Sequence, residues 1–321
     1  MQSFLELAQQ FETKFNVRHF PKEPQTLYDA AQYILAIGGK RVRPVCVLMG
    51  NELFADINQD AWQVAAAIEL FHNFSLIHDD IMDKAPLRRG MQTVHAKYGD
   101  ATALLAGDVM FAQAYDYLTR IDLSYVQKII KLFNQTSKEV CEGQQIDMDF
   151  EQMQNVGMEQ YIQMITLKTS VLLAASLQLG AILGGAGEGN QQHIYSFGKN
   201  LGIAFQIQDD YLDAFGDPEK FGKQIGGDIL SNKKTFLLLH VIEVATSNQK
   251  KEIHTLISTN PTDKVEKMLT IYKDCKVDEW AKELKEKYYK TALKNLEDVA
   301  VLAIRKKPLY ELATYLMERE S

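Results

Sequence analysis

The pattern Asp-Asp-x-x-Asp occurs twice, at Asp79–Asp83 and at Asp209–Asp213. On a helix, residues four apart lie one turn apart and only about 40° apart around the axis, so Asp79 and Asp83 share a face, as do Asp209 and Asp213. Asp80 and Asp210 lie about 100° from the first member of each cluster and suit a supporting role. Both clusters close an apolar stretch, where like charges repel and resist burial. A shared cation relieves both problems. The donors are all hard oxygens, which favours magnesium or manganese over zinc. Magnesium takes few protein carboxylates and accepts phosphate oxygens besides, so two such clusters describe a diphosphate site holding several metals. A single copy is also what a solvated helix end looks like. Two copies, each ending an apolar helix, are harder to read that way.

The cations are grouped to match. Gly38–Pro44 reads GGKRVRP, a turn entering a helix, where N-terminal amides and fixed charges together bind anions. Arg88 and Arg89 follow the first cluster by five residues, close enough to reach a phosphate held there. Lys168–Thr169 forms a third group. A fourth is the stretch FGDPEKFGKQIGGDILSNKKT, whose glycines and charges suggest a mobile loop carrying Lys223, with Lys233 on the helix that follows. His72 falls about 20° from Asp79 on the helical wheel and faces the same site. The run GGAGEG at Gly184–Gly189 lacks the Lys-Ser/Thr of a phosphate loop and reads as a helix–helix connection.

The elements that must position these residues are helices. In Ala61–Asp83 the residues Val64, Ile68, Phe71, Ser75, Asp79 and Asp83 fall three or four apart. Tyr161–Leu183, Ile194–Phe215, Lys234–Val244 and Trp280–Ile304 behave similarly. No run alternates strictly between apolar and polar, so strands beyond isolated pairs are not expected. Breaks fall at Pro21–Pro24, Pro86–Gly90, Gly184–Asn190, Gly216–Gly227 and Thr259–Pro261, and none reads as a domain linker. The expectation is one large all-α domain over residues 1–321. With 46% apolar and 24% charged residues the chain is not disordered. Lys and Arg number 35 against 42 Asp and Glu, a formal charge of −7, which makes it a poor general binder of nucleic acid. Cys46, Cys141 and Cys275 form no C-x-x-C pair and fit a reducing cytoplasm. The N-terminal MQSFLELAQQFETKF is not of signal-peptide type, and Val171–Gly187, interrupted by Ser176 and Gln178, reads as a buried helix rather than a membrane span.

The blocks GGKRVRP, LIHDDIMDKAPLRRG, TVHAKYGDATALLAGDVMF, GQQIDMDFE, LKTS, FGKNLGIAFQIQDDYLD and GKQIGGDILSNKKT run in order from Gly38 to Thr235. Taken as a set, they resemble the trans-isoprenyl diphosphate synthases, or polyprenyl synthetases. The resemblance implies an all-α prenyltransferase bundle around a deep cavity, usually a homodimer, in which about three magnesium ions hold an allylic diphosphate. It implies Asp79, Asp83 and Asp209 as metal ligands, with Asp213 a weaker candidate. Arg88, Lys168, Lys223 and Lys233 would contact the allylic diphosphate. Lys40, Arg43, His72 and Arg89 would bind isopentenyl diphosphate. Thr169 and Gln206 would face the developing carbocation. Gln92 departs from the family, which often carries proline there.

The growing tail would run along the first aspartate helix, about 5.4 Å deeper per turn. Ser75 is small and would let it pass; Phe74 and Phe71 would form a floor. Phe74 lies about 140° from Asp79 on the wheel, which argues against a floor role. The resemblance nevertheless implicates the position five before the cluster, and an aromatic there is similar to synthases of a twenty-carbon product. Fifteen carbons is the alternative. A terpene cyclase would also ionise an allylic diphosphate, but GGKRVRP and Arg89 would then be superfluous. An inactive partner subunit of a two-component synthase would be expected to lack one cluster.

Overall fold

In the computed structural model of the chain, residues 1–216 and 225–318 are described; Lys223 lies outside them. The chain forms two compact units. The first comprises residues 1–135, 175–195 and 299–311, and the second 136–174, 196–298 and 312 onward.

The first unit holds α1 (Phe4–Phe15), α2 (Gln25–Ala36), α3 (Val42–Glu52), α4 (Gln59–Met82), α5 (Val94–Tyr98), α6 (Asp100–Leu118) and the start of α7 (Leu123–Gln152). Helix α4 is its centre. The Asn58 side chain caps it, accepting from the Ala61 amide at 2.9 Å. Ala61 and every residue from Val64 to Phe71 are buried, so the helix is covered all round rather than along one stripe. Its four buried alanines keep it slender, and α6 packs along it. Helix α4 ends at Met82 with Asp83 as its C-cap. Beyond it, β1 (Leu87–Arg88) and β2 (Met91–Gln92) form a hairpin, the only β-structure among the described residues. Its two central residues, Arg89 and Gly90, both have positive φ, at 52° and 76°. That is the requirement of a type I′ turn, which matches the strand twist.

The second unit holds the rest of α7, α8 (Met158–Ile165), most of α10 (Glu188–Phe215), α11 (Gly227–Leu230), α12 (Phe236–Val244), α13 (Ser247–Thr259), α14 (Lys264–Asp274) and α15 (Val277–Glu297). Its core gathers Tyr161, Ile207, Phe236, Val241, Met268 and Tyr272, among others. Helix α9 (Val171–Leu183) continues from α8, and α16 (Ala303–Met317) ends the described chain.

Two expected helices are corrected. Tyr161–Leu183 is not one regular α-helix, since Thr166–Ser170 widens into a π-helical turn. The helix expected over Trp280–Ile304 stops at Glu297 and resumes at Ala303. The apolar pattern runs into this break because Leu296, just before it, and Val299, inside it, are both buried. The stretch Met158–Leu183 is long and apolar enough to cross a membrane, its most apolar 18 residues having a mean hydropathy of 1.5, yet 72% of that window is buried within the protein. It behaves as a core helix.

Candidate active site

In the first unit, the end of α4 carries the first carboxylate cluster. Asp79 is half-buried, Asp80 is buried at 2% exposure and Asp83 is exposed. The C-terminus of a helix is the negative end of its dipole, so carboxylates placed there are destabilising unless a cation joins them. Asp80 has such a partner. Arg88 donates through Nε at 2.8 Å and Nη2 at 2.7 Å to its two carboxylate oxygens. This fork holds the guanidinium beside the cluster, with its other N–H groups left to bind an anion.

The cations expected from GGKRVRP lie on the same unit. Lys40 is exposed and Arg43 half-buried at the start of α3. Arg43 Nη1 stands 3.1 Å from His72 Nε2. Arginine can only donate, so Nε2 is the acceptor and the imidazole proton sits on Nδ1. Burial, then Arg43 and Arg89, hold the His72 pKa well below its usual value, and the ring is neutral. Arg89 packs on Gly39, where any side chain would collide with it: a Cβ there would stand 2.6 Å from Nη1. The family resemblance grouped Lys40, Arg43, His72 and Arg89, without showing that Gly39 and the positive-φ turn let Arg89 approach.

Upstream on α4, Phe71 is fully buried and Phe74 half-buried. Phe74 stacks on Phe111 of α6 with ring centres 4.9 Å apart. Phe71 meets Phe133 edge-on at 5.3 Å, and Tyr115 packs on both Phe111 and Phe133. Phe111, Tyr115 and Phe133 were missed from sequence, because nothing local marks which aromatics of α6 and α7 face α4. The Ser75 hydroxyl donates to the His72 carbonyl at 2.8 Å and so lies along its own helix.

In the second unit, Lys168 and Thr169 sit on the π-helical turn, a distortion that is common at functional sites. Lys168 Nζ stands 2.6 Å from Asp147 of α7. The approach depends on Gly143, since a Cβ at that position would lie 2.2 Å from the Lys168 amide. Thr169 Oγ1 donates to Gln206 Oε1 at 3.2 Å, and Gln206 Nε2 donates to Asp210 at 2.8 Å. Tyr161 completes the chain with a hydrogen bond to the other Asp210 oxygen. Burial pushes the Asp210 carboxyl up to about 7, against the pull of Lys233. Asp213 accepts the Asp228 amide at 3.0 Å, capping the short helix α11. Lys233, expected on a helix, instead lies in the connection between α11 and α12, which starts only at Phe236; it is exposed and 3.9 Å from Asp228. Its neighbour Lys234 turns the other way, onto the Phe150 carbonyl at the end of α7. Asp147 stood unassigned within GQQIDMDFE, and Asp228 within the glycine-rich stretch.

Among the described residues no three His, Cys, Asp or Glu side chains form a closed metal cluster. The donors nonetheless suit a hard divalent cation: oxygen ligands at the negative ends of two helices, one helical turn apart in each pair. Magnesium characteristically takes one or two carboxylates and fills the rest of its shell with waters and phosphate oxygens.

Residues 24–275 match the polyprenyl synthetase family. A geranylgeranyl diphosphate synthase of Sulfolobus acidocaldarius is 37% identical over 300 residues, covering 91% of each chain. A short chain isoprenyl diphosphate synthase of Methanothermobacter thermautotrophicus is 36% identical, covering 92% of this chain and 91% of that one. A crystal structure of a geranylgeranyl pyrophosphate synthase superposes with a TM-score of 0.94 at 43% identity, over the full length of both chains. The chain belongs to the polyprenyl synthetase family and is a prenyltransferase.

Proposed function

We propose that the chain condenses isopentenyl diphosphate with an allylic diphosphate, giving the twenty-carbon geranylgeranyl diphosphate as its main product. The observation that carries this reading is on α4. The helix bears an acidic C-terminus at Asp79 and Asp83 and, two turns upstream, a neutral His72 joined to Arg43. A cation site beside a metal-type site is what a two-diphosphate reaction needs. A cyclase, which takes one diphosphate, has no use for it.

Asp79, Asp83 and Asp209 would hold magnesium, with Asp213 a lesser ligand because Asp228 already occupies one of its oxygens. Bound there, the metal supplies electrophilic stabilisation of diphosphate oxygens. The family resemblance assigns Arg88, Lys168, Lys223 and Lys233 to the departing diphosphate, whose charge they would spread. Lys40, Arg43 and Arg89 hold the diphosphate of the second substrate, and neutral His72 receives Arg43 without adding charge. The Thr169 proton is committed to Gln206 and the Gln206 amide to Asp210. The free lone pairs of Thr169 Oγ1 can therefore face the allylic cation. No nucleophile–base pair is evident among the described residues, and the family resemblance assigns the final proton to the departing diphosphate itself. The aromatic cluster around Phe71 and Phe74 supports a cavity closed at twenty carbons. Family resemblance further supports a homodimer, a single catalytic domain over residues 1–321 and a cytoplasmic setting.

The test is to incubate the purified protein with magnesium, isopentenyl diphosphate and, separately, dimethylallyl, geranyl and farnesyl diphosphates, and to read product length by mass spectrometry. Consumption of isopentenyl diphosphate into a C20 product supports the proposal. A C15 product corrects the chain length. Cyclic hydrocarbons without consumption of isopentenyl diphosphate overturn it.

A further inference from the structure

The middle cation of GGKRVRP touches neither substrate set. Arg41 is buried, with 3% of its side chain exposed, between exposed Lys40 and half-buried Arg43. Its Nε donates to Glu12 at 2.8 Å, its Nη1 is paired with Glu69, and its Nη2 donates to the Leu35 carbonyl at 3.1 Å. Glu69 is itself 5% exposed and accepts from Asn73 Nδ2 at 3.0 Å. The guanidinium rests over the Phe15 ring at 5.5 Å.

Two features of this arrangement are costly. A desolvated ion pair rarely stabilises a protein more than apolar side chains of similar size would. Arg41 also takes a φ of 51°, a left-handed conformation that non-glycine residues rarely adopt. Both costs fall on one residue, and a role in stability alone does not account for them.

Their geometric effect is clear. Glu69 and His72 are three residues apart on α4 and share a face. Arg41 reaches the first and Arg43 the second, so the start of α3 is fastened to α4 at two successive points. The left-handed turn at Arg41 sends its side chain inward and leaves Lys40 on the outside. Gly39, one residue further back, is the floor on which Arg89 lies. Glu69 also neutralises Arg41 in place.

We propose that the buried Arg41–Glu69 ion pair, steadied by Glu12, is a positioning device that holds Lys40, Arg43 and Arg89 in register for the diphosphate of the isopentenyl substrate. This rests on the assignment of those cations under Proposed function. Arg41 and Glu69 act through their neighbours and touch no reacting atom.

The test is steady-state kinetics with each diphosphate varied in turn, together with thermal denaturation, on Arg41→Met, Arg41→Lys, Glu69→Gln, Glu12→Gln and Arg43→Ala. Arg41→Met and Glu69→Gln are expected to raise KM for isopentenyl diphosphate about tenfold, equivalent to about 1.4 kcal/mol of binding. KM for the allylic substrate and kcat should stay within about twofold. Arg41→Lys keeps the charge but loses the fork, and recovers part of the loss. Glu12 is half exposed, so Glu12→Gln gives a smaller rise in a protein that still folds; it and Arg41→Lys carry the test if Arg41→Met does not fold. Folded variants with the parent KM, or an equal rise for both substrates, overturn the proposal. Arg43→Ala separates the two layers. If it leaves KM for isopentenyl diphosphate unchanged, the substrate site is misassigned and this proposal falls with it. If it raises KM while the folded Arg41 and Glu69 variants do not, only the positioning role is lost.

Discussion

The two aspartate clusters are written almost identically and are held in different ways. In both, the middle residue is the buried one, Asp80 at 2% exposure and Asp210 at 5%. Asp80 is met by a charge, the Arg88 fork. Asp210 is met by neutral donors, the Tyr161 hydroxyl and the Gln206 amide, and its carboxyl is pushed up to about 7. The last residues differ too. Asp83 is exposed at the helix end, whereas Asp213 caps α11 through the Asp228 amide. A repeated motif thus specifies which residue faces inward, while its neighbours decide how that buried charge is met. In the first unit the buried aspartate orients a cation. In the second it orients a chain of dipoles ending at Thr169.

The sharpest test of this contrast lies in the outer aspartates. Asp79→Ala and Asp209→Ala should each lower kcat by about 10³-fold, the scale of losing a main electrostatic contact. Asp213→Ala should cost only about tenfold, since one of its oxygens is already engaged, and Asp83→Ala should fall between. Turnover measured across a magnesium titration checks the order, and equal losses at Asp83 and Asp213 would break the comparison. Next come the partners of the buried residues. Arg88→Leu leaves Asp80 buried without its counter-charge and should cost about 3 kcal/mol of stability. Tyr161→Phe removes one neutral hydrogen bond and should cost about 1 kcal/mol. Urea unfolding of both variants reads the difference directly.

A smaller effect follows from His72. Its folded pKa is depressed, so below about pH 6.5 the unfolded chain takes up a proton that the folded protein refuses. The unfolded state then binds more protons, and stability falls as pH drops, by up to about 1.4 kcal/mol per pH unit. His72→Gln should remove this slope between pH 6.5 and 5, measured by urea unfolding at each pH. The smallest change in energy is a change of product. Phe74→Ala opens the stack on Phe111 and should lengthen the main product by at least one five-carbon unit, and Phe111→Ala should do the same. Mass spectrometry of the products decides, and an unchanged length in both variants would remove the floor role.

The helices that carry the chemistry were legible because their apolar residues recur at helical spacing. Ala61–Asp83 was expected and Gln59–Met82 is found. The turn at GGKRVRP and the break at Pro86–Gly90 were legible from glycine and proline. The hairpin in that break was not, because its strands are two residues each and no alternation can show in so short a run. The π-helical turn at Lys168 was hidden for a similar reason: one extra residue per turn barely disturbs an apolar pattern. The end of α15 at Glu297 was masked because Val299, inside the break, is apolar and buried like Leu296 before it.

Residue type and spacing by themselves determined the all-α class, the two acidic helix ends and the cations beside them. These are local properties, set by one turn of helix or one tight turn. Tertiary structure alone decided which of several adjacent charges is used where. Arg41 goes inward to Glu69 while Lys40 stays out, and Lys234 turns to the Phe150 carbonyl while Lys233 lies near Asp228. Neighbouring lysines and arginines are chemically alike. Only the acceptor that the packed fold brings within hydrogen-bond reach decides which of them turns inward and which stays at the surface.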